Sequence, residues 1–437
     1  MKFIVIGITD NPQPWFPPEV QEIIKNGKVF SGGKRHHEIV APLLPEGAEW
    51  IDITVPIDAV FEQFNVHCSA RPKDACYQRD ARMFNVQCVT VFASGDPLFF
   101  GFANTIKRTM PEAEIVVYPT FNSLQMLAHR LVMPYHDMRI VSLTGRPWPE
   151  FDRALIERAE KIGVLTDKEH TPTTIAQRML DYGYTNYTMY VGEHLGNPEK
   201  EKVTTLTLEE ATRATFSMPN CVLLELTGDG SSEFDNNSAS MDQAQKNRPQ
   251  RVPFGIPDAD FSLLDGREKM ITKMPIRLLT LQALNLPKRH VLWDIGFCTG
   301  SVSIEARLQF PHLHIEAFEI RPECEAIIHE NARRFGAPGI NVHIGDFLET
   351  DISALPYPDA VFIGGHGGHL KEIVAKVMTV LAPDGIIVMN SVKAPKVTTD
   401  SHLLWDEVCL ELGLKQEPPT RIILNENHPI EILKAHK

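Results

Sequence analysis

One stretch of the chain constrains its fold more than any other: a short apolar run that leads directly into a loop bounded by two glycines. The run covers residues 290–293 and ends in Asp294, the loop extends from Gly296 to Gly300, and a helical pattern follows. Strand, glycine turn and helix in this order are typical of the opening of a nucleotide-binding α/β unit. The glycines let the backbone approach a ligand closely, and the helix directs its free N–H groups to the same place. We therefore predict a ligand site at the end of this strand.

The next strand pattern, 314–320, carries an acidic residue, Glu319, near its end. In nucleotide-binding units, an acidic residue about 20 positions after the glycine loop holds the ribose hydroxyls. The loop reads Asp-x-Gly-x-x-x-Gly, which differs from the dinucleotide pattern and resembles the S-adenosylmethionine (SAM) loop of class I methyltransferases. A bare glycine loop is also an ordinary turn of many α/β domains, and Glu319 at this distance favours the cofactor site.

Length and charge exclude several classes of protein. The 437 residues allow two or three domains, and 43% of them are hydrophobic, as in an ordinary globular protein. The net charge of -13 argues against a nucleic-acid-binding surface, although it does not exclude a local basic pocket. No apolar run reaches the length of a membrane span. We therefore expect neither nucleic acid nor membrane as a partner.

The cysteines and the first residues indicate a compartment. The seven cysteines are scattered and form no Cys-x-x-Cys pair, so we expect reduced thiols and no metal site. The apolar run at the start of the sequence stops at residues 10–12, which is too short for a signal peptide and is predicted to be a first strand. These features favour a cytoplasmic protein.

A change in composition divides the chain. Residues 229–253 are polar, rich in serine, asparagine and aspartate, and nearly free of apolar side chains. Such a segment cannot bury enough surface to fold alone. We therefore predict a first domain at 1–228, a flexible linker at 229–253 and a second domain at 254–437.

The second domain alternates between strand and helix patterns. Strands are predicted at 290–293, 314–320, 340–344, 359–365 and 386–390, helices at 322–335 and 370–381, and a hairpin at 420–434. Thr272 is predicted to cap a short helix with Pro275 in its first turn. This order predicts a doubly wound, mixed seven-stranded sheet with an antiparallel edge, as in the Rossmann-like class I methyltransferases.

The first domain is also predicted to be α/β. Its strands are predicted at 2–8, 28–31, 89–93, 114–118, 139–143 and 188–191. Its densest motif is Ala-Ser-Gly-Asp-Pro-Leu-Phe-Phe-Gly at 93–101, at the carboxyl end of a strand, where α/β sheets bind ligands. Gly95 permits close approach, and Asp96 can accept hydrogen bonds. The alternative is an Asp-Pro turn that only caps a helix.

Further stretches carry a family resemblance. In the first domain, residues 32–36, 93–101, 141–146, 165–176 and 191–196 resemble the tetrapyrrole methylases, whose class III fold has two α/β subdomains. In the second domain, residues 256–260, 272–273, 294–296, 345–346 and 362–365 resemble the decarboxylating methyltransferases of the corrin pathway. Together, in this order, the two halves resemble the fused precorrin-6Y C-5,15-methyltransferase (decarboxylating) family of cobalamin biosynthesis.

This resemblance implies an activity. The family methylates precorrin-6B or cobalt-precorrin-6B at C-5 and C-15 with SAM and removes carbon dioxide from the C-12 acetate arm, giving a precorrin-8 type product. The second domain would methylate C-15 and decarboxylate, and the first would methylate C-5, each with its own SAM. Because the sulfonium already activates the methyl group, the protein mainly aligns the reactants and excludes water. We assign no catalytic acid or base, and we expect a homo-oligomer.

The resemblance also implies cofactor-binding residues. In the second domain these are Thr272, Gly296, Phe297, Cys298, Thr299, Gly300, Glu319 and Asp346. Glu319 would hold the ribose, and Asp346 would lie at the adenine end. In the first domain, Gly95, Asp96 and Ser123 would contribute to a second SAM site in a cleft between the two subdomains.

The substrate carries many carboxylates, so an acidic protein needs local positive charge to bind it. The candidates are Lys34 and Arg35 in the first domain and Lys273 and Arg277 in the second. The latter pair is four residues apart, which places both side chains on one face of a predicted helix. The alternative for each pair is a solvated basic face.

Three departures from the family patterns leave alternatives open. The first loop reads Gly-Ile-Thr-Asp-Asn-Pro at 7–12 instead of a Gly-x-Gly-x-Gly type, Cys298 replaces the middle glycine of the SAM loop, and Pro275 replaces an acid. The altered first loop favours a second hypothesis, in which only the second domain is catalytic and the first binds substrate or product. A methyltransferase for nucleic acid or protein is disfavoured by the charge and by Phe-Ile-Gly-Gly at 362–365, where amino methylation uses Asn-Pro-Pro-Tyr.

Overall fold

A computed structural model describes residues 1–69, 88–227, 254–392, 401–423 and 430–437. The predicted linker, 229–253, lies outside the described residues. The chain divides into two units. The first comprises Met1–Arg146, Glu160–Ala176 and Thr188–Glu225, and the second comprises Pro147–Ala159, Gln177–Tyr187 and Leu226–Lys437. Three segments of the predicted first domain, residues 147–159, 177–187 and 226–228, group with the second unit. The predicted domain boundaries stay a prediction.

The first sheet is parallel throughout and has the order β3-β2-β4-β1-β5. Its strands are β1 (Lys2–Ile8), β2 (Val29–Gly32), β3 (Glu49–Asp52), β4 (Cys88–Ser94) and β5 (Glu114–Tyr118). The accompanying helices are α1 (Pro18–Asn26), α2 (Lys34–Val40), α3 (Ile57–Ser69) and α4 (Phe102–Thr109). The central strands are apolar runs because both faces of a parallel sheet are covered; Phe3, Val5 and Val91 are fully buried.

The second sheet has the order β6-β7-β10-β8-β9. Its strands are β6 (Arg139–Ser142), β7 (Lys161–Leu165), β8 (Tyr187–Glu193), β9 (Lys202–Leu206) and β10 (Asn220–Leu226), and the helices are α5 (Ser123–Leu131), α6 (Pro149–Ile156), α7 (Pro172–Asp181) and α8 (Leu208–Ala211). Strands β3, β7 and β9 were not predicted from the sequence. Each has four or five residues, and β3 and β9 lie at sheet edges, so neither the length nor the alternation of these strands gives a strong signal.

The third sheet has the order β13-β12-β11-β14-β15-β18-β16, and β17 also pairs with β18. Its strands are β11 (Val291–Ile295), β12 (His314–Glu319), β13 (Ile340–Ile344), β14 (Ala360–Ile363), β15 (Ile386–Val392), β16 (Lys415–Gln416), β17 (Thr420–Ile422) and β18 (Ile430–His436). The helices are α9 (Met274–Ala283), α10 (Ser301–Gln309), α11 (Glu323–Phe335), α12 (Leu370–Met378) and α13 (Ser401–Leu412). The predicted α/β class and antiparallel edge are confirmed. The described sheet has eight strands instead of seven, because the two-residue β16 also pairs with β18.

The strand order of the third sheet positions a site. β11 lies between β12 and β14 and is parallel to both. After β11 the chain continues to β12 and β13 on one side of β11, whereas β14 and β15 lie on the other side. This switch in strand order opens a crevice at the carboxyl ends of the strands. The predicted glycine loop, 296–300, directly follows β11. Within the described part of the chain, no helix has both the length and the apolar character needed to cross a membrane.

Candidate cofactor sites

The loop after β11 passes very close to the loop after β14. Gly296 has a φ of +80°, and a Cβ built on it would lie 2.7 Å from the backbone nitrogen and 2.9 Å from the carbonyl oxygen of Gly365. Any side chain would force these two loops apart. Glycine is therefore required at residue 296 both by the backbone conformation and by the space available.

Gly300 closes the same loop and directly precedes helix α10. It has a φ of +72°, and a Cβ on it would lie 2.4 Å from Cγ1 of Ile328. No side chain caps the first turn of α10, so the first N–H groups of the helix are not bonded to a cap and face the loop end of β11. Such a helix N-terminus suits a ligand with negatively charged or acceptor groups.

Glu319 ends the neighbouring strand, β12, and is 3% exposed. Its carboxylate accepts a hydrogen bond from the backbone N–H of Cys298 at 2.9 Å. Arg321 donates to both oxygens, through Nη2 at 2.7 Å and Nε at 2.9 Å. Burial opposes the charge of Glu319, but the hydrogen bonds from Arg321 outweigh it and lower the pKa of this carboxyl. Glu319 is therefore an ionised acceptor, as ribose binding requires.

The hydrogen bonds of Glu319 also set a condition for ligand binding. Its two oxygens accept four hydrogen bonds from Cys298 and Arg321, counting the Arg321 backbone N–H at 3.1 Å. A carboxylate has about four acceptor positions. A ribose hydroxyl must therefore replace one of these donors. The Arg321 side chain is 34% exposed and is the donor that can move.

Two buried polar atoms beside the loop lack a partner among the described residues: Oδ1 of Asp294 and Oγ1 of Thr299. The other oxygen of Asp294 accepts from the Ser303 hydroxyl at 2.6 Å. Burial raises the pKa of Asp294 to about 7, so its carboxyl is partly protonated near neutrality. Buried polar atoms require partners. Orphaned groups next to a glycine cradle and an ionised Glu319 fit a ligand that combines an amino acid with a ribose.

Asp346 and Phe297 differ in their placement. Asp346 follows β13, and the backbone N–H of Gly345 donates to the Glu319 carbonyl at 2.9 Å, so Asp346 lies at the same sheet edge as Glu319. Its carboxylate accepts from the N–H of Leu348 at 2.9 Å. The Phe297 side chain is buried in an apolar cluster with Ile328, so only its backbone is in the loop.

The structure corrects the prediction for Thr272. Helix α9 begins at Met274, and the residue that precedes it is Lys273, without a side-chain cap. Thr272 therefore does not cap the helix. Its carbonyl oxygen accepts a hydrogen bond from Nη1 of Arg277 at 2.9 Å.

The prediction that Arg277 binds substrate is wrong for this structure. Its side chain is fully buried, 3.1 Å from Glu305 and 3.2 Å from Asp258. It also donates to the carbonyls of Ile256 and Thr272. Four of the five guanidinium N–H groups are thus engaged, and Arg277 anchors the segment before α9 to helix α10.

Lys273 is in a different environment from Arg277. It precedes the helix, so the four-residue spacing does not place the two side chains on one helix face. Its Nζ lies 3.8 Å from an Asp258 oxygen, and its side chain is 40% exposed. Lys273 remains a predicted substrate-binding residue.

The first unit contains a cavity of about 440 Å³. The lining includes residues that follow β1 and β4, residues at the start of α5, and residues at the ends of strands of the second sheet, among them Thr9, Gly95, Ser123, Thr166 and Asn220. All of these residues belong to the first unit. Of the three residues predicted for this site, Gly95 and Ser123 line the cavity.

Asp96 is not among the residues that line this cavity. Its carboxylate accepts a hydrogen bond from the backbone N–H of Leu98 at 2.8 Å. This contact is the Asp-Pro turn that the sequence analysis kept as the alternative. A cofactor contact of Asp96 therefore remains only a prediction.

Two glycines, Gly7 and Gly95, bring backbone segments close together beside the cavity. A Cβ on Gly7 would lie 2.1 Å from the Gly95 carbonyl oxygen. Gly95 itself has a φ of +62°, and a Cβ there would lie 2.8 Å from Cα of Asn122. The first loop, the motif at 93–101 and the start of α5 therefore meet at a point where only backbone fits.

A polar network lies along one side of the same cavity. Arg35 donates to Asp10 at 3.0 Å and to the Ser94 hydroxyl at 2.9 Å. His36 lies 2.8 Å from the same hydroxyl, and His194 lies 2.9 Å from Asp10. Of the two basic residues predicted here, Arg35 lines the cavity, whereas Lys34 is exposed. Asp10, Ser94 and His194 were not predicted from the sequence, although Asp10 follows β1 and Ser94 ends β4, which was a usable signal.

Two family models match the chain. A family model of tetrapyrrole (corrin/porphyrin) methylases matches residues 2–212, and a precorrin methyltransferase domain model matches residues 265–406. A precorrin-6Y C(5,15)-methyltransferase [decarboxylating] from Sinorhizobium sp is 30% identical over 410 residues, which are 94% of this chain and 88% of that protein. The chain belongs to this family.

Two shorter proteins are also similar to the chain. A cobalt-precorrin-6B C(15)-methyltransferase (decarboxylating) from Salmonella typhi is 39% identical over 185 residues, 41% of this chain and 95% of that protein. The crystal structure of a precorrin-6Y C5,15-methyltransferase from Geobacter metallireducens GS-15 is 33% identical, covers 42% of this chain and 96% of that chain, and has a TM-score of 0.37.

Membership of the precorrin-6Y C(5,15)-methyltransferase family makes the chain a SAM-dependent, decarboxylating methyltransferase of cobalamin biosynthesis, as the sequence analysis expected. The residues of the loop 296–300 and Glu319 fit the cofactor, because they combine backbone that no side chain obstructs with ionised and orphaned acceptors.

Cys298 provides a test of how closely the cofactor follows this loop. Its φ is +50°, a conformation that costs a non-glycine residue about 1–2 kcal/mol. We expect Cys298→Gly to leave SAM affinity unchanged or to increase it, because glycine relieves this strain and the N–H to Glu319 is retained. Calorimetric titration with SAM measures the affinity. A loss of more than about tenfold, on the order of 1.4 kcal/mol, would show that the buried thiol is itself needed for binding.

Proposed function

We propose that the chain methylates precorrin-6B, or its cobalt form, at C-5 and C-15 and removes carbon dioxide from the C-12 acetate arm. The observation that carries this proposal is the difference in coverage between relatives. The relative that spans 94% of the chain is named for both positions, whereas the one that matches 185 residues is named for C-15 alone. Residues 254–437 number 184. We therefore assign C-15 methylation and decarboxylation to the second part and C-5 methylation to the first.

The proposal includes one SAM for each unit. When bound, SAM supplies an electrophilic methyl group on a sulfonium. In the second unit, Glu319 would accept the ribose hydroxyls once Arg321 releases one hydrogen bond, and Asp294 and Thr299 would gain the partners that they lack. In the first unit, Gly95 and Ser123 would lie against the cofactor. Two separate glycine-shaped strand ends support two sites.

The residues of the chain then mainly bind and orient. The close approach of Gly296 to Gly365 keeps the loop ends of β11 and β14 compact, which would help to exclude water from a bound ligand. Lys273, partly exposed beside Asp258, provides positive charge for a substrate carboxylate. Loss of carbon dioxide can place its electron pair in the macrocycle, so we assign no further electron acceptor and no protein acid or base.

The altered first loop keeps one alternative open, in which only the second part is catalytic. Thr9 and Asp10 of that loop line the cavity of the first unit, which under this alternative would hold substrate or product. Titration of the full chain with S-adenosylhomocysteine separates the two hypotheses. Two binding equivalents favour two methylation sites, and one equivalent favours the alternative.

Further properties belong to the same proposal. We propose a cytoplasmic homo-oligomer that acts on a free tetrapyrrole and has neither nucleic acid nor membrane as a partner. The net charge of -13 disfavours a nucleic-acid partner, and the scattered cysteines favour a reducing compartment.

The proposed function is tested with the purified full chain, SAM and either metal-free precorrin-6B or cobalt-precorrin-6B. We expect mass spectrometry to show a product with two added methyl groups and without one carboxyl group, for one of the two substrates at least. The comparison of the two rates identifies the natural form. Unchanged mass of both substrates would refute the proposal.

A further inference from the structure

The network beside the cavity of the first unit has a property that follows from its donors. Arg35 donates from Nη2 to the Ser94 oxygen at 2.9 Å. A guanidinium has donors only, so Ser94 must be the acceptor in this contact. A second hydrogen bond holds the Arg35 side chain in place, because its Nη1 donates to Asp10 at 3.0 Å.

His36 makes the second contact with Ser94. The backbone N–H of Gly33 donates to Nδ1 of His36 at 3.2 Å, so Nδ1 carries no proton. Burial, together with the charge of Arg35, lowers the pKa of His36 to about 4, so the ring is neutral near pH 7. A neutral imidazole has one proton, which must then be on Nε2. Nε2 lies 2.8 Å from the Ser94 oxygen and therefore also donates to it.

Ser94 thus accepts two hydrogen bonds, and its own proton cannot point to either neighbour. A hydroxyl oxygen has two acceptor lone pairs, and both are engaged by Arg35 and His36. No acceptor for the Ser94 proton is found among the residues that the structure describes. Ser94 is exposed and lines the cavity, so its O–H group is directed toward the space that a ligand would fill.

We propose that Ser94 is a hydrogen-bond donor for a carboxylate oxygen of the ligand in this cavity. The carboxylate belongs either to the methionine part of SAM or to a side arm of the tetrapyrrole. The choice of these two ligands rests on the proposed function, whereas the donor role of Ser94 rests on its contacts. A charged donor behind the hydroxyl polarises it, and hydrogen bonds from a hydroxyl to an anionic oxygen are among the strongest in proteins. Arg35 therefore acts through Ser94 as a positioning residue.

The same contacts exclude another role. Neither ring nitrogen of His36 has a free lone pair, since Nδ1 accepts from Gly33 and Nε2 carries the proton. His36 is therefore not a base for a proton released in the cavity, although it is a neutral histidine at its wall.

The test uses the full chain with Ser94→Ala and Ser94→Thr. S-adenosylhomocysteine and the tetrapyrrole are titrated separately, and the site in the second unit serves as an internal reference. We expect Ser94→Ala to weaken one ligand about tenfold or more, as for the loss of a hydrogen bond to a charged group, and Ser94→Thr to stay within about threefold of the parent. The ligand that weakens identifies the source of the carboxylate.

The control is Ser31→Ala, which removes a buried hydroxyl of the same sheet that donates to the Ile51 carbonyl at 2.8 Å and lies outside the cavity lining. It should not change either affinity. The proposal is overturned if Ser94→Ala changes both affinities less than twofold, or if Ser94→Thr weakens binding as much as alanine does. The titrations measure binding without turnover. A parent chain that methylates only C-15 would therefore refute the C-5 assignment, but the affinities of the Ser94 variants would still decide the role of Ser94.

Discussion

Gly296→Ala should weaken SAM binding in the second unit severely. The new Cβ would lie 2.7 Å from the Gly365 nitrogen, so the loops after β11 and β14 must separate. Overpacking of this kind costs about 1–3 kcal/mol, and the left-handed backbone adds about 1–2 kcal/mol. We expect the affinity for SAM to fall by about a hundredfold or more, together with the rates of C-15 methylation and carbon dioxide release.

A matched control separates this effect from a general cost of alanine at a left-handed glycine. Gly266 has a φ of +67°, and a Cβ on it would meet nothing within 4 Å. Gly266→Ala should lower stability by about 1–2 kcal/mol and leave SAM binding intact. Urea unfolding and calorimetric titration of both variants provide the comparison. Equal losses of affinity would mean that the contact with Gly365 is not the cause.

Gly95→Ala should stop C-5 methylation. A Cβ on Gly95 would lie 2.8 Å from Cα of Asn122, at a φ of +62°, so alanine must displace the start of α5, where Ser123 lines the cavity. We expect the C-5 rate to fall by about a hundredfold, with the C-15 reaction unchanged because the second unit is untouched. Rates of methyl transfer are measured separately for the two positions.

The matched control for Gly95 is Gly47. It has a φ of +76°, and a Cβ on it would meet nothing within 4 Å. Gly47→Ala should reduce stability slightly and retain both methylations. Circular dichroism of both variants shows whether Gly95→Ala is folded. A folded Gly95→Ala with normal C-5 activity would contradict the site assignment.

The sequence predicted well those features that depend on the backbone. Gly296 and Gly300 were recognised because glycine is required where φ is positive and loops approach closely, and both have φ values in that range. Glu319 was recognised because its distance from the loop reflects the length of one strand–helix–strand unit. These signals are local, so they can be read from one sequence.

Features that depend on distant partners were not predictable in this way. The spacing of Lys273 and Arg277 indicated a shared helix face, but the sequence does not show that Glu305 and Asp258 neutralise Arg277 in the core. The network of Asp10, Arg35 and Ser94 joins the loop after β1, helix α2 and the end of β4, which only the sheet order β2-β4-β1 brings together.

The backbone conformation of Cys298 is a third feature that the sequence did not predict. The sequence identified Cys298 only as the residue that replaces the middle glycine of the SAM loop. In the structure its side chain is buried against Ile328 and Cys324, and the residue adopts a φ of +50°. Propensity alone would not place a cysteine in this conformation, so tertiary packing overrides it.

The central claim is that each part of the chain carries its own methylation site, and product analysis of the two glycine variants tests it most directly. Each variant is incubated alone with SAM and the tetrapyrrole, and the two are then mixed. The account predicts that Gly95→Ala gives a decarboxylated product with one added methyl group, that Gly296→Ala leaves mostly unreacted substrate, and that the mixture restores two methyl groups. A doubly methylated product from folded Gly95→Ala alone would contradict it.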